Sequence, residues 1–137
     1  MMQAARLWVG TLPVTFNPAS VDAFVTQTIT NWTASGKQLV FLIGEEQPRI
    51  ANLARQNNFA NAWDFWAPNM DFRRIPYNQA IHEAASIEYN KYIIRRLVQA
   101  GYQFVDAGVV ATDTLPSPWY LAEIEVLREL GITVRSL

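Results

Sequence analysis

The stretch "YIIRRLVQAGYQFVDAG", residues 92–108, decides how the chain folds. Its first half continues a helical pattern that starts at Pro76. Gly101 closes that pattern, because glycine takes the left-handed conformation that ends a helix without a side-chain penalty. Its second half is apolar nearly throughout, as a strand covered on both faces must be. A helix that turns directly into a buried strand is half of a strand-helix-strand unit, and the alternation extends in both directions.

Upstream, "RLWVG" (6–10) is a short strand candidate. It precedes a helix in which Asn17 caps and Pro18 takes the first helical position; Val21, Phe24, Val25, Ile29 and Trp32 recur at helical spacing, and Gly36 stops it. "KQLVFLIG" (37–44) is the strongest strand of the chain, and "EEQPRIANLARQNN" (45–58) forms a second helix with Pro48 near its start. "NAWDFW" (61–66) reads as a weaker third strand, and the long helical pattern runs from Pro76 to Ala100. After "YQFVDAGVV", the segment "SPWYLAEIEVLREL" is a fourth helix, capped by Ser117, opened by Pro118 and ended by Gly131; "ITVRSL" (132–137) is the last strand. The order βαβαβαβαβ predicts an α/β fold with a three-layer, mostly parallel five-stranded sheet, flavodoxin-like or Rossmann-like, in a single domain spanning 1–137. "LVFLIG" and "YQFVDAG" are its inner strands.

Composition narrows the chemistry. A chain of 137 residues, half of them hydrophobic, can bury one core without metal or disulfide staples. Eleven Lys and Arg against twelve Asp and Glu leave no basic field for a nucleic-acid backbone, apart from local pairs such as Arg73 with Arg74 or Arg95 with Arg96. The absence of cysteine removes disulfides, thiolate metal sites and cysteine nucleophiles, and a lone His82 argues against a histidine-rich zinc site. No cofactor is implied, and no metal is assigned to the site. No segment approaches the roughly 18 consecutive apolar residues of a membrane span, and the amino end lacks a signal-peptide run. A cytoplasmic protein is expected, unless a larger polypeptide delivers it elsewhere.

In an open parallel sheet, ligands bind beyond the carboxyl ends of the strands. That rule collects Glu45, Glu46 and Arg49 after the second strand, Asp71, Arg73 and Arg74 after the third, and Asp106, Asp113, Ser117, Trp119, Tyr120 and Glu123 around the fourth. Glu123 lies at the edge of the buried face of its helix. It is either a carboxylate with a raised pKa that acts on substrate or an acid that merely suits the positive end of a helix. Asp106 ends a strand, where an acid is costly unless paired or facing a cleft. Ser117 is a helix cap rather than a nucleophile, since His82 lies in a distant helix. Arg73 can bind a phosphate or be a solvated loop residue, and Asp113 is a loop residue within reach of the same edge. Trp63, Trp66 and Trp119 can stack on a base or sugar. "GEEQPR" matches neither a phosphate-binding P-loop nor a dinucleotide fingerprint.

Two resemblances follow from these segments. "FLIGEEQPRIANLARQNNFANAWDFW", "YNKYIIRRLVQAGYQFVDAG" and "SPWYLAEIEVLRELGI" together resemble the carboxyl-terminal toxin-like domains of Rhs and filamentous-haemagglutinin polymorphic toxins, in order and spacing rather than in a catalytic signature. That likeness implies a toxin effector with an immunity protein as partner. "DTLPSPWYLAEIEVLRELGITV" resembles the final helix-strand unit of nucleoside deoxyribosyltransferase-like proteins, in which an Asp and small residues precede a helix carrying a nucleophilic Glu. The likeness implies that Glu123 attacks a sugar carbon, although the Gly of the usual Asp-x-Gly-Thr segment is replaced by a proline-containing stretch.

The expectation is an enzyme acting on the N-glycosidic bond of a nucleoside, nucleotide or NAD-like ligand. Glu123 and Asp106 are its catalytic residues, and Tyr120, Trp119, Ser117, Asp113, Arg73 and Glu45 contact the substrate. The alternatives are a non-catalytic immunity or adaptor module, for which a homo-oligomer is also open, and a nuclease holding magnesium on Asp106, Glu45 and Glu46.

Overall fold

Strand β1 (Val40–Ile43) is buried at all four positions, so it needs apolar cover on both faces. Its residues alternate: Phe41 and Ile43 enter one core cluster, and Val40 and Leu42 enter another. The computed structural model describes residues 17–65, 79–110 and 117–137, with side chains in all of these except 79–82. Within them, helix α1 spans Pro18–Ala34, α2 Gln47–Asn57, α3 Gln79–Gln99 and α4 Pro118–Glu129; β2 is Gln103–Asp106 and β3 is Arg135–Ser136.

The three strands form a parallel sheet in the order β1-β2-β3, with Phe41 opposite Phe104, Ile43 opposite Asp106, and Asp106 opposite Ser136. The alternation of apolar segments with helices thus leads to an α/β fold with parallel strands, and β2 is the central strand. Val40, Leu42 and Val105 pack with Ile50 and Ala54 of α2 on one face. On the other, Phe41, Ile43 and Phe104 meet Val21 and Val25 of α1, Tyr89, Ile93, Ile94 and Leu97 of α3, and Val126 and Leu127 of α4. Phe41 is the centre of that cluster, with ring centroids 6.2 Å from Phe65 and 5.9 Å from Phe104.

The expected five-stranded, three-layer sheet is not what the described residues form. The candidate strand at 6–10 lies outside them. The candidate strand at 61–66 is corrected: Ala62–Phe65 is one turn of 3-10 helix. The reason is a reciprocal cap. Asn61 Oδ1 accepts from Trp63 N at 2.9 Å, while Asp64 Oδ2 reaches back to Asn61 N at 2.9 Å. This is the geometry of a capping box, and the satisfied amides outweigh the aromatic strand propensity of the segment. Extended pairing survives only at Ala60, whose N donates to Val40 O (2.7 Å) and whose O accepts from Leu42 N (2.8 Å).

The helix starts follow the capping residues. Asn17 Oδ1 accepts from Ala19 N and Ser20 N, and Ser117 Oγ accepts from Trp119 N, each with a proline directly behind the cap. Gly101, at φ +86°, lets α3 end and β2 begin within three residues. Among the described residues no helix is long and apolar enough to cross a membrane.

Because Phe41 is fully buried and touches aromatic rings on two elements, Phe41→Ala should cost about 3–5 kcal/mol, read as a lower urea midpoint with an unchanged slope.

Candidate active site

Parallel strands put all their carboxyl ends at one edge, so the loops after β1 and β2 and the start of α4 are neighbours there. The loops are bolted together by backbone and side chain. Glu45 N donates to Gly108 O at 3.1 Å, and Arg49 Nη2 reaches Gly108 O at 2.9 Å. Glu45 itself is 3% exposed; its Oε1 accepts from Val110 N at 2.9 Å and its Oε2 from Ser117 N. The carboxylate expected to contact substrate is thus turned onto backbone amides, one of them that of the α4 cap residue.

A cavity of about 420 Å³ opens at this edge, a size suited to a small molecule. Gly44, Glu46 and Gln47 form the wall after β1; Ala62 and Trp63 come from the 3-10 turn, Ser86 and Asn90 from α3, and Ser117, Trp119 and Glu123 from α4. The Asn61 cap builds two walls at once, since Asn61 Oδ1 also accepts from Gln47 Nε2 at 2.9 Å while fixing Trp63. Trp119 is oriented by its indole N–H, which donates to Ser86 Oγ at 2.7 Å. Trp63 is 56% exposed and lines the cavity at its open side.

Glu123 is the chemical centre of the cavity. It is 5% exposed, and burial pushes its carboxyl up to about 8. Asp106 raises it further, whereas hydrogen bonds from the Asn90 side chain and the Gly44 N–H hold it down. Burial thus favours the protonated form of Glu123 over the ionised one. The backbone that supplies the Gly44 amide has no room for a side chain. A Cβ there, at φ +152°, would lie 2.6 Å from Ile50 Cδ1. Glu46, next but one, sits in the left-handed region (φ 66°, ψ 88°), at a cost of order 1–2 kcal/mol. It occupies the cap position of α2, yet its side chain makes no cap hydrogen bond, and it borders the cavity instead.

Asp106 does not border the cavity among the described residues. It is held behind Glu123 by the Tyr120 hydroxyl, which donates to both carboxylate oxygens (2.9 and 2.7 Å), and by Gly108 N at 2.7 Å. Burial, followed by the hydrogen bond to Asp106, raises the Tyr120 phenol well above its ordinary range and keeps it a donor. Of the expected site residues, Glu123, Trp119 and Ser117 border the cavity, Tyr120 and Asp106 form a pair beside it, and Glu45 braces it. Arg73 and Asp113 lie outside the described residues, as do Asp71, Arg74 and Trp66.

Sequence reasoning missed Gly44, Gln47, Ser86 and Asn90. The last two had a signal: positions 86, 90, 93 and 97 make one stripe of α3, buried as Ser, Asn, Ile and Leu. Two small polar residues where apolar ones continue the stripe mark a helix face that leaves the core and enters a polar cavity.

No protein-family model, no curated protein and no solved structure matches the chain.

Two outcomes are expected here. Glu45→Ala strands two amides in a nearly dry position, and should lower stability by about 1–3 kcal/mol in a denaturant titration. Glu123 has a folded-state pKa of about 8 against 4.5 for the free group, so the folded state holds a proton that the unfolded state releases between these values. Its contribution is complete below pH 4.5 and is lost as pH rises toward 8. Glu123→Gln should therefore gain stability relative to the parent as pH rises from 5 to 8, measured by urea midpoints across that range.

Proposed function

We propose that the chain is an enzyme acting on the N-glycosidic bond of a nucleoside, nucleotide or NAD-like ligand, with Glu123 as the carboxylate at the sugar. The observation that carries this reading is a buried glutamic acid, its pKa raised by burial, that lines the same cavity as two indoles. Cleavage of a C1′–N bond passes through an oxocarbenium-like sugar, whose charge has to be met by a group held close. A carboxyl that lacks a cation partner in the resting site ionises when such a charge develops beside it. It is then at hand to bond to C1′ or to accept a proton from the attacking water. Trp63 and Trp119 supply flat apolar surfaces for a base, and Asn90, Gln47 and Ser86 supply hydrogen-bonding groups for ribose hydroxyls.

The Tyr120 and Asp106 pair has a supporting role in this scheme. Asp106 lies near enough to add to the effect of burial in disfavouring a negative charge on Glu123, which favours its protonated form until positive charge appears. The toxin-effector setting rests on the sequence resemblance alone.

A metal-dependent nuclease is less well supported. Glu45 spends its carboxylate oxygens on amides and Asp106 accepts from Tyr120 and Gly108, and among the described residues no three acidic or histidine side chains are grouped to hold a metal. The exposed indole of Trp63 is the feature that favours a non-catalytic binding module.

The test is product detection by chromatography after incubation with a panel of nucleosides, nucleotides and NAD. Free base should appear with the parent protein, and Glu123→Gln should reduce its rate roughly 10³-fold or more without lowering the thermal midpoint at pH 6. Equal rates for the two proteins, or no product from any substrate, would remove the catalytic reading.

A further inference from the structure

We propose that the cavity takes a positively charged N-riboside without phosphate, a nucleoside whose base is a cationic aromatic ring. The inference rests on the N-glycosidic reading of the cavity and narrows its ligand.

Two indoles and two carboxyl groups face the same space. Trp63 and Trp119 offer π-faces, which attract a cationic ring more strongly than a neutral one. Glu46 is held by a strained backbone at the rim, and its carboxylate makes no cap hydrogen bond with the amides of α2. Glu123, 5% exposed, lines the same cavity and accepts hydrogen bonds from Asn90 and Gly44. Behind it stand Asp106, and Glu45 on the neighbouring loop. Among the described residues no Lys or Arg borders the cavity, and the nearby Arg49 donates instead to the carbonyls of Ala107 and Gly108. A phosphate would enter this space past the Glu46 carboxylate, with Asp106 behind Glu123 and no basic side chain among the described lining to meet it. The amides at the opening of α4 do not offset that field, since Trp119 N donates to Ser117 Oγ and Ser117 N to Glu45.

The reaction chemistry agrees. When the C1′–N bond of such a riboside breaks, its electron pair goes to the ring nitrogen and neutralises the ring. The leaving group needs no proton. Water adds to C1′, its proton passing to the Glu123 carboxylate and then to solvent. Glu123 therefore releases its own proton to solvent as the cationic ring binds, faces positive charge first on the ring and then on the sugar, and only then takes the proton of water.

The experiment compares three probes by isothermal titration calorimetry with the full chain at pH 7.5: nicotinamide riboside, its uncharged dihydro form, and nicotinamide mononucleotide, which adds a phosphate to the same cationic ring. Nicotinamide riboside should bind at least tenfold more tightly than either of the others. Glu46→Gln should weaken it severalfold without affecting the dihydro form, and Trp63→Ala should weaken it tenfold; Trp63 is exposed, so its loss leaves the fold intact. Equal binding of charged and uncharged rings, tighter binding of the mononucleotide, or no binding of any probe overturns the inference. Selective binding without cleavage keeps the ligand class and removes the glycosidic reaction. Glu123-dependent cleavage of neutral nucleosides, with no preference for charge, does the reverse.

Discussion

Glu45 is the constraint on which the rest of the site depends. Its carboxylate is taken out of water at the end of β1, and it accepts hydrogen bonds from Val110 N beyond β2 and Ser117 N at the cap of α4. A buried carboxylate bonded to two amides is a strong, directional tie, since each bond is charge-assisted. The end of β1, the loop after β2 and the start of α4 thereby meet at one point. The rotation and height of α4 follow from it, and so does the position of Glu123, six residues beyond the cap and under two helical turns away.

Two of the carboxyl groups at this edge are treated in opposite ways. Glu45 receives amides and serves as scaffold, whereas Glu123 is placed where burial outweighs the two donors it has, and so favours its protonated form. The difference follows from geometry on the strands. Glu45 is in the loop that touches β2, amid free N–H groups; Glu123 projects from a helix across the sheet edge into a space bounded by indoles and amide side chains. Residues of one type at one edge thus differ by what they face, backbone amides of two other loops for Glu45 and the cavity for Glu123.

Much of this was legible in the sequence. The proline-backed caps at Asn17 and Ser117 and the apolar runs around Phe41 and Phe104 hold, because each depends on neighbours along the chain or on burial of a whole strand. The edge of the sheet that bears the site was legible too, since parallel strands force it. The segment 61–66 was not, for a local capping box there competes with aromatic strand propensity, and the spacing from Asn61 to Asp64 carries the answer. Nor was the role of Glu45 readable: its partners, Val110 and Ser117, lie 65 and 72 residues away, and no periodicity reports an amide at that distance. Ser86 and Asn90 fell between these cases, visible as polar interruptions of a buried stripe but interpretable only once α4 is packed beside α3.

The costs in the structure are concentrated where the cavity is. Glu46 holds a left-handed backbone that its side chain disfavours, Gly44 occupies a position that excludes any Cβ, and Glu123 is an acid kept from water. None of these improves packing, and each could be relieved by an ordinary substitution elsewhere in a helix or loop. The strain persists because its surroundings over-determine it: Ile50 beneath Gly44, the Arg49 tie to the β2 loop, and the Glu45 clasp on α4. Stability is drawn from the two apolar clusters at the middle of the sheet and spent at one end. A fold arranged this way holds its acid in place at the cavity, and under the proposed function a cationic ligand would meet there a carboxyl that needs only to lose its proton.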